Sequence, residues 1–517
     1  MNAMAEPTST DKKAGSGMPP TRAWRPLLLL AAALLPFLPS LSGGPLWDDD
    51  HYVFANPVVH NSRTGLIEAW QGRHLMDYYP VTHSLFWLEW QAFGDRPLGF
   101  RIVSCGLHAI GSLLVWHLLR QFQLPGAFLA AVVWATHPVQ VDAVCWISQQ
   151  KSLLSALLAT GAVLAYGRYR QTPAPSCGRW YATALGLHAL ACLSKTDAVM
   201  LPGVLLLLET FGWFGEADRS CWSWKQAKTA MPRMLPFFAI SAAAGVLAIV
   251  FMNSRVVTSP IDLGSPSNRL LKAVWAYGFY WLDFLTPFNL AAVYPEPVLP
   301  RDAVIAATVL TAGTGLLLWL LPRQRAGVLL VGLLVGCLLL PVLYIAPQGF
   351  YKCSPVADRY LRLPLVVMAA GTVAAGTGLV PRSWHALAGL VTVGALASLT
   401  WFHATDYRSE TLMWRAAIRN QPEAWYPHYG LAGRLLFDDG DLDGAAAEAA
   451  IALEGNADFP PLLLVAGLAA AGREDFAAAE QHLSRAIAVE PAFEVARQAL
   501  AEVHRRKRLQ MPNNSRR

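Results

Sequence analysis

Charged residues are scarce in this sequence of 517 residues. Asp, Glu, Lys and Arg together make up 15% of the chain, whereas soluble proteins average about 25%. Apolar and aromatic residues make up 54% and cluster in long blocks. This composition excludes a disordered chain and an ordinary soluble enzyme. It predicts a polytopic α-helical membrane protein with a water-soluble tail that begins near residue 403.

Cysteine pairs with the spacing of metal ligands, such as CxxC, are also missing. The seven cysteines are Cys105, Cys145, Cys177, Cys192, Cys221, Cys337 and Cys353. We interpret them as small, buried apolar residues. The net charge of +6 does not indicate a nucleic-acid partner, because most of the basic residues are needed at the membrane edges.

Long apolar blocks are the strongest feature of the sequence. A helix that crosses a bilayer needs about 20 mostly apolar residues, and eleven blocks are predicted to do so. They lie at 26–44, 98–120, 123–138, 151–167, 180–194, 196–214, 234–252, 302–322, 326–346, 361–380 and 385–402. The first block is not closed by a small-residue cleavage site, so we expect an uncleaved anchor. A further block, 269–287, breaks the charge alternation and is expected to be interfacial or re-entrant.

The gaps between the blocks alternate in charge. Every second gap is rich in Arg and Lys, whereas the first gap of the other set begins with Asp48, Asp49 and Asp50. The positive-inside rule therefore places the N-terminal segment 1–23, expected to be disordered, in the cytoplasm. The membrane domain would span 24–402. Its first loop, 45–97, and the tail would then lie outside.

Small residues recur at a spacing of 34 in the tail. The pairs are Gly433 and Gly467, Ala445 and Ala479, and Ala452 and Ala486. This period is typical of tetratricopeptide repeats, whose two helices per unit pack closely through Gly and Ala. We predict an α-solenoid of such repeats over 403–508, followed by a disordered end at 509–517. A generic Ala-rich helical bundle is the alternative.

Three adjacent carboxylates follow the first block directly. Asp48, Asp49 and Asp50 raise one another's proton affinity through like-charge repulsion, and the nearby membrane adds a cost of desolvation. Such a cluster can bind a metal, act as a general base, or simply end a helix in water. The residues alone leave all three interpretations open.

Five cations are expected at the same membrane face. They are Lys151, Lys195, Lys352, Arg359 and Arg362. Arg holds a phosphate with a two-pronged fork and Lys acts as a point charge, although Lys195 could equally snorkel to the interface. A face that combines carboxylates with these cations fits a lipid-linked phosphosugar. A carboxylate would activate an acceptor hydroxyl, and the cations would stabilise the leaving phosphate.

Five short motifs occur in order along the chain. They are Trp47-Asp48-Asp49-Asp50 with Asn56-Pro57, Tyr79-Pro80-Val81-Thr82, His137-Pro138-Val139-Gln140-Val141-Asp142, Ser194-Lys195 and Asp358-Arg359-Tyr360-Leu361. With the repeat tail, this set resembles the transmembrane and tetratricopeptide-repeat-containing (TMTC) family and its bacterial relatives, from about residue 24 to 505. The resemblance implies a GT-C glycosyltransferase fold. Its eukaryotic members resemble protein O-mannosyltransferases that use polyprenyl-phosphate-linked mannose.

The resemblance also implies roles for the acids. In this fold the catalytic Asp lies in the first outer loop, and the family's paired acids fall on Asp48 and Asp49. Asp49 is the expected base, with Asp50 as an additional supporting acid. Many GT-C enzymes need a divalent metal, whereas the protein mannosyltransferase branch resembles metal-free ones. His51, beside the acids, leaves metal dependence open, and no metal ligand is predicted.

Four cations are the expected ligands of the donor phosphate. Arg359 matches the family's Arg before Tyr-Leu, and Lys195, Lys151 and Arg362 would assist it. Lys151 stands where many relatives have a different pair of residues, so its match is partial. The residues expected to support the site are His137, Asp142 and Lys352. Asp142 stands where the family often has Glu.

The sequence thus predicts a membrane glycosyltransferase. It would transfer a sugar, mannose being one candidate, from a polyprenyl-phosphate donor to a protein or glycan hydroxyl, with the repeat tail selecting the acceptor. The alternatives are a non-catalytic, membrane-anchored repeat scaffold for envelope assembly, and a polysaccharide ligase or transporter. The Ala-, Gly- and Arg-rich composition, and the lack of a retention tetrapeptide, favour a bacterial inner membrane with the loop and tail in the periplasm.

Overall fold

The computed structural model describes a predominantly helical protein. The residues that it describes are 23–73, 75, 77–214, 222–255, 263–345 and 348–510, and they contain no strand. In a bilayer a chain can satisfy its backbone N–H and C=O groups only internally, which favours helices. The predicted disordered segment 1–23, apart from its last residue, and residues 511–517 lie outside the described residues.

In the described residues sixteen α-helices precede the tail, and several of the connections between them contain 3-10 or π-helical turns. The first eight are α1 (Trp24–Leu34), α2 (Pro57–His60), α3 (Gly65–Trp70), α4 (Pro80–Phe93), α5 (Pro97–Gln121), α6 (Ala127–Thr136), α7 (Gln140–Val144) and α8 (Gln150–Gln171). The next eight are α9 (Cys177–Ser194), α10 (Leu201–Thr210), α11 (Trp224–Arg255), α12 (Pro266–Leu285), α13 (Arg301–Leu320), α14 (Arg325–Leu339), α15 (Pro364–Leu379) and α16 (His385–Asp406).

Six helical stretches of the described residues are long and apolar enough to cross a membrane. They are Trp24–Ser42, Pro97–Gln121, Trp224–Phe251, Arg301–Leu320, Pro322–Val342 and Arg382–Asp406. The chain is therefore an integral membrane protein. The other five predicted spans also coincide with helices, but α6 and α10 have only 10 residues each. The count of eleven spans stays a prediction, as does the interfacial position of α12, which is not among the six.

The first loop forms three short helices instead of irregular chain. Asn56 caps α2, its side chain accepting a hydrogen bond from the backbone N–H of Val58, and proline begins both α2 and α4. The Thr82 hydroxyl of α4 donates to the carbonyl oxygen of Ser194, 2.9 Å away. These contacts lay the loop across the ends of α8 and α9, where the predicted cations lie.

The tail consists of six helices that pack consecutively. They are α17 (Glu410–Asn420), α18 (Trp425–Arg434), α19 (Leu442–Gly455), α20 (Pro460–Gly472), α21 (Phe476–Val489) and α22 (Glu494–Gln510). Asp441 and Asp475, 34 residues apart, cap α19 and α21 in the same way. Ala445 and Ala479 are both fully buried. The helical repeat is present, while its assignment to the tetratricopeptide type stays a prediction.

Candidate active site

The start of the first loop, which carries Asp48, Asp49 and Asp50 and is called the acid loop below, places its first two carboxylates in different environments. Asp49 is fully buried, and its two oxygens accept hydrogen bonds from the backbone N–H groups of Leu46, at 2.9 Å, and Ser148, at 2.7 Å. Burial, assisted by the charge of Asp48, raises the pKa of Asp49 to about 7, although the two hydrogen bonds act in the opposite direction. Asp49 therefore ties the acid loop to the turn before α8.

Asp48 is the more accessible of the two acids. Its side chain is 24% exposed, and one oxygen accepts a hydrogen bond from the hydroxyl of Ser148 at 2.5 Å. The other oxygen lies 3.7 Å from Nζ of Lys151. A partly exposed carboxylate beside a buried cation can reach a substrate hydroxyl, whereas both oxygens of Asp49 accept hydrogen bonds from the backbone.

Lys151 is held against the aromatic part of the first loop. Its Nζ lies 3.7 Å from the ring centre of Tyr52, which is a cation–π contact. The Tyr52 hydroxyl donates in turn to the carboxylate of Asp77. Lys151 is only 7% exposed, and these contacts hold it beside Asp48.

Lys195 is a second buried cation near this acid. Its Nζ donates to the hydroxyl of Ser152 at 2.7 Å and lies 3.6 Å from a carboxylate oxygen of Asp197. Burial, together with the charges of Arg359 and Lys151, lowers the pKa of Lys195 to about 8, although the charge of Asp197 acts in the opposite direction. The three cations therefore lie near enough to repel one another, which is a suitable arrangement for binding an anion.

Arg359 completes this group of cations. One of its terminal nitrogens lies 3.1 Å from a carboxylate oxygen of Asp142, whose other oxygen accepts from the Tyr407 hydroxyl at 3.3 Å. The guanidinium also stacks over the ring of Phe350, 4.0 Å from its centre. Asp142 thus holds the arginine that the sequence assigned to phosphate binding.

Four of the predicted residues take other positions. Arg362 donates to the side chain of Gln140 at 2.6 Å and lines a small separate pocket. His137 is buried with one ring nitrogen 3.0 Å from the carbonyl oxygen of Phe284. The last two, Asp50 and Lys352, are exposed and half-buried, respectively.

Sequence reasoning missed Arg101, which lies in the first turns of the spanning helix α5. It is buried, and it donates to the carbonyl oxygens of Gly44 (2.6 Å), Cys145 (2.7 Å) and Tyr407 (3.2 Å). An arginine inside an otherwise apolar helix is costly and usually has a function, so its position alone was a usable signal. Ser148, which contacts both acids, carries no such signal because serine is common at helix ends.

A large apolar cavity of about 1450 Å³ lies between the helices. It lies among α5, α8, α10 and α12 to α15, and its lining reaches Asp197 and Ala198, just after Lys195. A cavity of this kind can take a long hydrocarbon chain while a charged end group stays near Lys195. In the described part of the chain no three His, Cys, Asp or Glu side chains form a group that could hold a metal ion.

Comparisons with known proteins identify relatives of one kind. The chain is 26% identical over 210 residues to the protein O-mannosyl-transferase F38B6.6 of Caenorhabditis elegans. The matched region covers 38% of this chain and 28% of that protein. It is 29% identical over 151 residues to the protein O-mannosyl-transferase Tmtc1 of Drosophila melanogaster, covering 27% and 18% of the two chains. With the protein O-mannosyl-transferase TMTC4 of Homo sapiens it shares 23% identity over 489 residues, covering 82% and 65%.

The homologues are therefore TMTC protein O-mannosyl-transferases, which confirms the resemblance seen in the motifs. The matched part spans less than a third of the length of the first two relatives. Two solved structures of ArnT from Cupriavidus metallidurans, one bound to undecaprenyl phosphate and one in the apo state, are also similar, each with a TM-score of 0.39. They are 14% and 16% identical to this chain and cover 89% of it and 79% of ArnT. No family model matches the chain.

Proposed function

We propose that this protein is a GT-C membrane glycosyltransferase. It transfers a sugar, with mannose as the first candidate, from a polyprenyl-phosphate donor to a hydroxyl group of a protein or glycan acceptor. The observation that carries the proposal is the position of Asp48, an accessible carboxylate 3.7 Å from the buried cation Lys151. The names of the homologous O-mannosyl-transferases support the same reaction class.

The cavity and the cations supply the two parts of a donor site. A polyprenyl chain is apolar and would occupy the cavity, whose lining ends next to Lys195. The phosphate at the end of that chain would then meet Lys195, Arg359 and Lys151. These cations would stabilise the negative charge that grows on the phosphate as the bond from the sugar to its oxygen breaks. The reaction needs no bound cofactor in this scheme, and a divalent metal stays an alternative to be tested.

Asp48 is the proposed base, although the family resemblance assigned that role to Asp49. It would accept the proton of the acceptor hydroxyl as that oxygen attacks the anomeric carbon, while the lipid phosphate leaves with the bonding electron pair. A positioned base of this kind contributes a factor of roughly 10² to 10⁴ in rate. Asp49, whose oxygens already hold two backbone N–H groups, would keep Asp48 in place.

The location of the reaction follows from the expected topology. The acid loop and the start of the tail lie at the same end of the helices, since the backbone N–H of Gly44 donates to the carbonyl oxygen of Arg408 at 2.9 Å. We assign this end to the outer face of a bacterial inner membrane. The repeat helices would present the acceptor there.

Transfer of labelled mannose from undecaprenyl-phosphate mannose into membrane proteins tests the proposal. The full chain in membranes should incorporate label, and Asp48→Asn should lower the rate by at least about 100-fold. Asp95→Asn, an exposed acid of the same loop, is the matched control and should transfer as well as the unchanged chain. Wild-type transfer by Asp48→Asn would remove Asp48 as the base. Full growth complementation by Asp48→Asn would favour the scaffold instead.

A further inference from the structure

The start of the tail runs alongside the acid loop. Arg408 accepts a hydrogen bond at its carbonyl oxygen from the N–H of Gly44 (2.9 Å), and its side chain donates to the carbonyl oxygen of Pro39 (2.9 Å). A Cβ atom added to Gly43 would lie 2.8 Å from that carbonyl oxygen of Arg408, so the two backbones approach as closely as glycine allows. Arg101 joins the same two segments through Gly44 and Tyr407.

Glu410, the first residue of α17, reaches from the tail into the acid loop. One carboxylate oxygen accepts the backbone N–H of Trp47 at 2.9 Å. The other accepts the indole N–H of Trp414 at 3.0 Å and lies 3.4 Å from Nε of Arg434. The side chain of Glu410 is only 13% exposed. It therefore links two helices of the tail to the residue that directly precedes Asp48.

Trp47 has a backbone conformation that residues other than glycine rarely adopt. Its φ is +40°, in the left-handed region, where most residues other than glycine are strained. Such a conformation persists only where the surroundings impose it. The hydrogen bond from its N–H to Glu410 is one such constraint, and it acts on the peptide unit that leads into the acids.

The indole of Trp47 supplies the second constraint. It stacks on Trp146 with ring centres 5.3 Å apart, and it meets the edge of Trp414 at 4.8 Å. Tyr426 lies 5.2 Å away on the tail side. Trp47 is thus wedged between the turn that precedes α8 and the first two helices of the tail.

We propose that Glu410 is a positioning residue for Asp48, and that the first helix of the tail is therefore part of the catalytic unit. The inference rests on the proposed function, because it assigns to Asp48 the role of base. Asp49, which follows Asp48, is held by hydrogen bonds from the backbone N–H groups of Leu46 and Ser148. Trp47, which precedes Asp48, is held by the hydrogen bond from its N–H to Glu410. The direction of the Asp48 carboxylate therefore depends on both neighbours.

Kinetics can distinguish a role of Glu410 in positioning Asp48 from a role in the stability of the tail. If Glu410 aims Asp48, its loss lowers kcat and leaves the KM for the donor unchanged, because the phosphate cations are untouched. If Glu410 only stabilises the tail, a comparable acid elsewhere in the tail should have the same effect. Glu448, which lies 2.6 Å from a ring nitrogen of His428, is that comparison.

The test uses the full chain in nanodiscs with undecaprenyl-phosphate mannose as donor and membrane proteins as acceptors. Glu410→Ala should lower kcat roughly 10- to 100-fold, the loss that a small misplacement of a catalytic group produces. Glu410→Gln keeps an acceptor oxygen for Trp47 and should recover most of the rate. Glu448→Ala should keep the full rate. A wild-type kcat in Glu410→Ala, or an equal loss in Glu448→Ala, would overturn the inference.

Hydrogen exchange of residues 43–56 provides a readout independent of activity. Glu410→Ala should speed amide exchange in this segment, whereas Glu448→Ala should leave it unchanged. Unchanged amide exchange in Glu410→Ala would contradict the claim that Glu410 of the tail orders the acid loop. If the unchanged chain transfers no sugar, the proposed function fails, and the exchange result still decides whether Glu410 orders the loop.

Discussion

The buried carboxyl group of Asp49 should make the stability of the protein depend on pH. Burial, together with the charge of Asp48, raises the pKa of Asp49 from 3.8 to about 7. Between these two values the folded chain holds a proton that the unfolded chain has released. The unfolded state then binds fewer protons than the folded state, so stability falls as the pH rises through this window.

The size of the effect follows from the shift. One pKa unit corresponds to about 1.4 kcal/mol, so the full window is worth roughly 4 kcal/mol of unfolding free energy. The stabilisation is complete below pH 4 and is lost once the pH exceeds about 7. Asp49→Asn removes the ionisable group and with it this part of the pH dependence. It also leaves one of the two backbone N–H groups without an acceptor, at a cost of about 1–3 kcal/mol.

Thermal unfolding in detergent, followed by tryptophan fluorescence at pH 5 and pH 8, measures both effects. The unchanged chain should lose more stability between these two values than Asp49→Asn does. The difference between the two proteins isolates Asp49 from other groups that titrate in this range. Asp95→Asn is the control and should behave as the unchanged chain. Equal pH dependence of Asp49→Asn and the unchanged chain would refute the assignment of Asp49 as a buried, protonated anchor.

Three further predictions concern the cations. Donor binding should weaken as the pH rises through about 8, because burial lowers the pKa of Lys195 to about 8 and only its charged form attracts phosphate. Binding of undecaprenyl phosphate to Lys195→Arg should lose this dependence; a dependence that persists would point to another group. Arg101→Met should lower the free energy of unfolding by about 3 kcal/mol or more, because two buried carbonyl oxygens and one part-buried carbonyl oxygen lose their donor; an unchanged free energy of unfolding would contradict this. Arg359→Lys should raise the donor KM about tenfold, since a point charge does not replace the arginine fork; an unchanged KM would place the phosphate elsewhere.

The positions of the helices could be predicted from the sequence, whereas the number of eleven membrane crossings stays a prediction. Each apolar block became a helix, because the chain has few polar residues within the blocks and the backbone must be satisfied internally. The block at 123–138 nevertheless yields only the 10 residues of α6. His137 and Pro138 end that helix, and hydropathy alone does not separate a short buried helix from a full span.

Most residues of the candidate site could be predicted from the sequence, but their contacts could not. The sequence reading selected Asp48, Lys151, Lys195 and Arg359, and the structure brings these residues together. It also selected Arg362, three residues beyond Arg359, which faces Gln140 instead. Arg359 lies inside the 3-10 turn Asp358–Leu361 and Arg362 directly follows it. Their partners, Asp142 and Gln140, come from the same distant helix, and the sequence does not show which arginine meets which.

Adjacent identical acids differ here largely through distant partners. The environment of Asp48 and Asp49 is set by Ser148, about 100 residues away, and by the left-handed backbone of Trp47, which Glu410 supports from still further along the chain. None of these contacts follows from the run of three aspartates. The role of each acid therefore had to come from the fold.

The pairing of charges in the site explains how an anion could enter it. Lys151, Lys195 and Arg359 each lie near one carboxylate, but the two lysines stand 3.7 and 3.6 Å from theirs, whereas Arg359 stands 3.1 Å from Asp142. The lysine pairs are therefore the looser ones, and a donor phosphate would compete first for the lysines. A phosphate that draws Lys151 away leaves Asp48 with only the Ser148 hydroxyl. The carboxylate would then be free to take the acceptor proton only once the donor is bound.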